Sequence, residues 1–244
     1  MKAAPKTDSE SFLQFFRQFE ALTDYSEPEL KDLFDAFTTA FKNSRSKRVN
    51  STPYLDVLQV FGLAQDELRH SRVLSWFLDP DAEHEQGPVF TEALLRLVAG
   101  KEIPELNRAA ASEDYIVERE KHKRTDVSVY RRKAFAVFIE NKVRASERIS
   151  QVNDMINELV RLADAERVPI LYRFAVFLTD EGREPTSGPF SDVARFDRRN
   201  LKSFRRVDIF DMFEEALNKR PVASPLLQNL LSCYLHAIRQ LCTL

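Results

Sequence analysis

The sequence predicts an α/β domain with a mixed central sheet flanked by helices. Three observations carry that reading. The run Thr125 to Tyr130 alternates apolar and polar, and after Arg131-Arg132-Lys133 a run apolar on both faces extends from Ala134 to Ile139 before stopping at Glu140-Asn141-Lys142. An alternating run joined by three basic residues to a fully apolar one is a hairpin whose second strand lies inside the sheet. A helical pattern from Ser146 to about Arg167 is followed by the continuous apolar run Leu171 to Thr179, the order of a β-α-β crossover. Helical periodicity dominates both ends of the chain.

Residues Ser9 to Lys42 read as helical. Phe12, Phe15, Phe16 and Phe19 form one stripe, and Pro28 opens a second helix carrying Leu30, Leu33, Phe34, Phe37 and Phe41. The polar, basic stretch Lys42 to Thr52 reads as a linker. A helix over Asp66 to Pro80 is predicted to bury Leu68, Val73, Leu74, Phe77 and Leu78, with Asp66 as its cap. A loop holding His84 among carboxylates leads to a second helix from Pro88 to Val98, and Gly100 to Ala111 reads as a polar connection. Asp114 to His122 is the expected first strand, and the hairpin follows. On the helix capped by Ser146, the inward residues are Ile149, Val152, Ile156, Leu159 and Ala163. After Leu171 to Thr179 and a Gly/Pro loop, a short strand is expected near Val193 to Phe196. Helices over Val207 to Asn218 and Pro225 to Leu241 close the chain. The apolar face of the last, from Leu227 to Leu241, is wide enough to bury against the domain or to pair two subunits. The expected divisions are a helical extension at 1–52, a core at 53–200 and a helical pair at 201–244 packed on the core.

The chain has 244 residues and a formal net charge of −2, so nucleic-acid contact would have to come from local patches. One patch comprises Arg119, Lys121, Lys123, Arg124, Arg131, Arg132, Lys133, Lys142, Arg144 and Arg148. A second comprises Arg195, Arg198, Arg199, Lys202, Arg205 and Arg206, and reads equally as a solvated face. Only 5 glycines are present, which argues against a phosphate loop or dinucleotide fingerprint. The 2 cysteines lack metal-type spacing and fit a reduced, cytoplasmic protein. No run approaches membrane-spanning length.

The chemistry points to the end of the hairpin. Glu140 and Lys142 share a strand face, and Asp126 arrives from the neighbouring strand opposite or diagonal to Glu140. Two facing carboxylates repel unless a cation lies between them, and hard oxygen ligands suit Mg²⁺ or Mn²⁺. A lysine beside such a site can orient water or neutralise phosphate charge. His84 reads as a loop brace ahead of a metal ligand.

Helix, three strands, helix and strand, with Asp126 opening the second strand and Glu140-Asn141-Lys142 closing the third, is similar to the PD-(D/E)xK nuclease superfamily. The stretch His70 to Pro80, ending Leu78-Asp79-Pro80, then His84 and Gly87, Ile139 to Lys142, and Phe177-Leu178-Thr179 resemble its mostly prokaryotic family four. The resemblance spans about Glu67 to Thr179 and implies a restriction-endonuclease-like αβββαβ core. It further implies that Asp126, Glu140 and the Asn141 carbonyl ligate Mg²⁺, replaceable by Mn²⁺. Lys142 would position the attacking water, and Glu67 would stand for the extra acidic residue of many members. Gln151 would match the glutamine after the motif in RecB-related branches, although Met155 stands where tyrosine is usual. Glu118 and Glu120 remain alternatives as a further ligand. The activity so implied is Mg²⁺-dependent hydrolysis of nucleic acid, DNA ahead of RNA, with Lys123, Arg124, Arg144 and Arg148 as candidate contacts. A catalytically silent nucleic-acid-binding or assembly protein is the competing reading.

Overall fold

The computed structural model describes residues 67–121, 125–142, 151–185, 194–220 and 225–241. The helices expected before Glu67, the Asp66 cap, and Ser146 and Ile149 lie outside the described residues.

Five strands form one sheet in the order β1-β2-β3-β4-β5: β1 Ile116–Arg119, β2 Val127–Arg131, β3 Phe135–Asn141, β4 Arg173–Thr179 and β5 Leu201–Arg205. The first three are antiparallel neighbours, while β3–β4 and β4–β5 are parallel. The hairpin turns on Arg132, Lys133 and Ala134, with Lys133 at φ 60° in the left-handed region. The turn therefore sits one residue later than the basic tripeptide suggests. Every residue of β3 and of β4 is buried, as expected for central strands flanked on both faces.

On one face lie α1 Glu67–Leu78, α2 Val89–Ala99, α3 Pro104–Ala111, α5 Arg206–Asn218 and α6 Pro225–Leu241. They share a core with Val127, Val129, Val137, Ile139, Val176 and Leu178. On the other face α4, Gln151–Ala165, covers Phe138, Ala175 and Phe177 with Val152, Met155, Ile156 and Leu159. The alternation of side chains along β3 thus divides the molecule into two apolar layers.

Several expectations are corrected. Leu68 is 49% exposed and Leu171 63%, because α1 turns a different edge to the sheet and Leu171 sits in the 3₁₀ turn Ile170–Tyr172 before β4. The stretch read as a polar connection contains α3, with Pro104 in its first turn and Leu106, Ala109 and Ala110 buried. The first strand is shorter than Asp114 to His122, since Glu120 leaves it at φ 53°. Of the strand expected near Val193 to Phe196, Val193 lies outside the described residues and residues 194–196 are not in a strand, and the fifth strand is Leu201–Arg205. By contrast, the expected burial of the last helix against the domain is seen: Leu227, Leu231, Tyr234, Leu235 and Ile238 of α6 lie in the core of the same chain.

Candidate active site

β3 delivers Glu140 and then Lys142 to one end of the sheet. The β2–β3 ladder ends at the Val127–Ile139 pair, and Asp126 lies one residue beyond it, close enough for its charge to act on Glu140. Asp126 is pinned from both neighbouring strands. Its N–H donates to the Ile139 carbonyl at 3.2 Å, and its own carbonyl accepts from the Glu120 N–H at 3.2 Å. Its Oδ2 accepts from the Asn141 N–H at 2.6 Å.

Glu140 is 2% exposed. Its Oε1 receives the Lys142 ammonium at 2.9 Å and the Gln151 amide from the start of α4. Its Oε2 is buried with no hydrogen-bond partner. Lys142 is fixed by its N–H, which donates to the Leu178 carbonyl at 2.8 Å, and its Nζ lies 3.6 Å from Glu67 Oε2 on the first turn of α1. The structure therefore brings together Asp126, Glu140, Lys142, Glu67 and Gln151.

Asn141 points to the opposite face, towards α1. Its Nδ2 donates to Ser71 Oγ at 3.3 Å, and the Ser71 hydroxyl donates to the Glu67 carbonyl at 2.9 Å. Nothing in the sequence singles out Ser71, although it stands one helical turn after Glu67. One serine thus ties the strand end that carries Glu140 to the helix that carries Glu67.

Burial pushes Asp126 up to about 6, held back by the Asn141 N–H and the Lys142 charge. Burial, then the charge of Asp126, pushes Glu140 up to about 7. Burial would lower the Lys142 ammonium, but the carboxylates of Glu140, Glu67 and Asp126 together hold it above its ordinary value. This is the electrostatics of two desolvated carboxylates that share too little positive charge.

Among the described residues, no group of three or more His, Cys, Asp and Glu side chains forms a metal cage. The donor set here is sparser, with two facing carboxylates and one buried, partnerless oxygen on Glu140. Such a set fits Mg²⁺ or Mn²⁺, which keep several coordination positions for water and substrate oxygens. Remaining alternatives separate cleanly. Glu118 accepts from the Tyr130 hydroxyl at 3.2 Å and pairs with Lys121, away from Asp126, whereas Glu120 lies close enough for its charge to raise Asp126. His84 accepts from the Gln86 N–H at 3.0 Å and binds the Trp76 carbonyl at 3.1 Å, so it braces the loop after α1.

A family model described as the PD-(D/E)XK nuclease superfamily, that of its family four, matches residues 55–236. The chain belongs to the PD-(D/E)XK nuclease superfamily. Its mixed five-stranded sheet with flanking helices has the restriction-endonuclease-like architecture of that superfamily, whose nucleases generally depend on a divalent metal. No curated protein and no solved structure matches the chain.

The basic patches fare differently. Lys123, Arg124, Arg144 and Arg148 lie outside the described residues. In the second patch Arg206 is 1% exposed and paired with Asp180, so it belongs to the interior. Arg195, Arg199 and Arg205 pair with Asp164, Asp197 and Asp208. Much of that patch is therefore neutralised within the chain. Among the described residues, no helix is long and apolar enough to cross a membrane.

Proposed function

We propose that the protein is a Mg²⁺-dependent nuclease that hydrolyses phosphodiester bonds of DNA in prokaryotic nucleic-acid processing or defence against mobile elements. The observation that carries the reading is Asp126 held at the end of β3 by the Asn141 N–H, with a Glu140 Oε2 that is buried and without a hydrogen-bond partner among the described residues and the Lys142 ammonium on the same carboxylate. In a member of a nuclease superfamily, that arrangement suits phosphodiester hydrolysis.

Asp126, Glu140 and the Asn141 main-chain carbonyl would hold the metal, which when bound supplies Lewis acidity at the scissile phosphate. Gln151 occupies Glu140 Oε1 and so would leave Oε2 to the cation. Lys142, braced between Glu140 and Glu67, would turn its remaining N–H towards the attacking water. Water oxygen would join phosphorus as the bond to the leaving sugar oxygen breaks, with one proton of the attacking water lost to solvent and the leaving oxygen taking up a proton from solvent.

The test is incubation of plasmid, linear and single-stranded DNA, and RNA, with Mg²⁺ or Mn²⁺. Wild type is compared with Lys142→Ala and Asp126→Ala. The expected result is metal-requiring DNA cleavage that both substitutions abolish. Cleavage that persists in both variants, or none by wild type on any substrate, refutes the proposal.

A further inference from the structure

A cavity of about 360 Å³ opens at the β2–β3 turn, at the other end of β3 from Glu140. Arg131, Lys133 and Ala134 of the turn, Leu106 and Arg108 of α3, and Tyr172 line it. Five residues of strand separate Phe135 from Glu140, or about 17 Å. Ala134 packs with the core under α3, whereas Glu140, two residues after Phe138, faces α4. The cavity is therefore apart from the carboxylates in both end and face.

The turn that walls it is fixed on two sides. Arg131 donates to the Ala109 carbonyl of α3 at 3.1 Å. The Lys133 N–H donates to the Glu166 carbonyl at 2.9 Å, just past α4, and the Ala134 N–H to the Arg131 carbonyl at 3.1 Å. Lys133 stands at φ 60°, a backbone that glycine or asparagine adopts at less cost. Its ammonium has no hydrogen bond or ion pair among the described residues, and neither has the Tyr172 hydroxyl. A strained position thus carries a cation that the fold itself does not use.

We propose that this cavity binds a nucleoside monophosphate. Charge selects an anion: Arg108, Arg131 and Lys133 meet one carboxylate in the lining, Glu105. Glu105 lies 3.6 Å from Arg108, and Asp114 lies 3.8 Å from Arg131 with its side chain 87% exposed, so both pairs are weak. A phosphate monoester, with its charge near −2 at pH 7, is the matching group. Size and lining call for more than phosphate. The volume falls within the range of small-molecule sites and far above that of one water. Leu106, Ala109 and Ala134 give an apolar wall, and the half-buried Tyr172 ring gives a flat partner for a base.

The test is calorimetric titration of the full chain, in chelator, with adenosine 5′-monophosphate, inorganic phosphate and adenosine. Wild type is compared with Lys133→Asn and Tyr172→Leu, each checked by a thermal melt. The nucleotide should bind wild type, with phosphate and adenosine at least about tenfold weaker, since each lacks half of the ligand. Lys133→Asn suits the left-handed backbone and should bind the nucleotide about tenfold more weakly. Tyr172→Leu should weaken the nucleotide about tenfold and leave phosphate unchanged. No nucleotide binding by wild type overturns the proposal. So does phosphate or adenosine binding as tightly as the nucleotide, or a folded Lys133→Asn with wild-type affinity. Lys133→Asn that fails to fold overturns it as well, because Lys133 would then serve the fold. Should Tyr172→Leu fail to fold, the Lys133→Asn ratio decides. Every outcome leaves the nuclease reading untouched.

Discussion

Asp126→Asn should stabilise the metal-free protein at pH 8 while removing its response to metal. Asparagine keeps the volume and retains an oxygen for the Asn141 N–H, which Asp126 accepts at 2.6 Å. What it removes is a buried negative charge facing Glu140. Burial raises Asp126 from 3.8 to about 6 in the folded state. A raised carboxylate favours folding at low pH, and that advantage is lost as pH rises from about 4 to about 6. At about 1.4 kcal/mol per pH unit, the ionised side chain costs the folded state up to about 3 kcal/mol at pH 8. Allowing for desolvation of the new amide, the expected gain is about 1–3 kcal/mol at pH 8, falling towards zero at pH 4. Urea unfolding in chelator at the two pH values measures it. With Mg²⁺ at a hundredfold excess over its Kd, wild type should gain about 2.7 kcal/mol and the variant nothing, which offsets most or all of the variant's advantage. A variant less stable than wild type in chelator at pH 8, a gain that persists at pH 4, or a variant still stabilised by Mg²⁺ would refute the reasoning.

Three further outcomes are expected. Mn²⁺ affinity, measured by calorimetry, should rise between pH 5 and 8, because protons held by Asp126 up to about 6 and Glu140 up to about 7 compete with the cation; a flat profile would contradict the raised pair. Ser71→Ala leaves the Asn141 amide, on a residue 1% exposed, without its partner at 3.3 Å, and should cost about 1–3 kcal/mol in urea unfolding. Burial lowers His84 below 6.5, so its contribution to stability is present above pH 6.5 and fades as pH falls. His84→Leu should therefore destabilise by about 1–3 kcal/mol at pH 8 and by less at pH 5, read by the same unfolding curves.

The parts of the fold legible in the sequence are those where local pattern and tertiary burial agree. β3 and β4 are apolar on both faces because both faces are covered, and the two final helices show their periodicity plainly. The parts misread are those where they diverge. β5 carries Lys202 and Arg205, and its residues are half-buried or exposed, so an edge position hides its strand pattern. In α3 only Leu106, Ala109 and Ala110 are buried, and alanines give little hydrophobic contrast to reveal a short helix. In the site, strand alternation is enough to put Glu140 and Lys142 on one face, and the Asn141 N–H on the Asp126 carboxylate brings that residue to the same strand end. Gln151 reaches Glu140 although Met155 stands where the resemblance expects tyrosine, because Met155 is fully buried on the inner face of α4 and makes no demand on the amide. Ser71 is invisible in the sequence because it acquires its place through a partner distant in sequence, Asn141.

The buried hydrogen bond between His70 Nδ1 and the Tyr234 hydroxyl, at 2.7 Å, spans 164 residues of chain. It joins α6 to the helix whose first turn offers Glu67, and α6 also fills the apolar layer under that helix. During synthesis, then, the sheet and its carboxylates can assemble on the ribosome well before their supporting helix is locked. A nascent chain therefore acquires a settled site only after α6 has emerged.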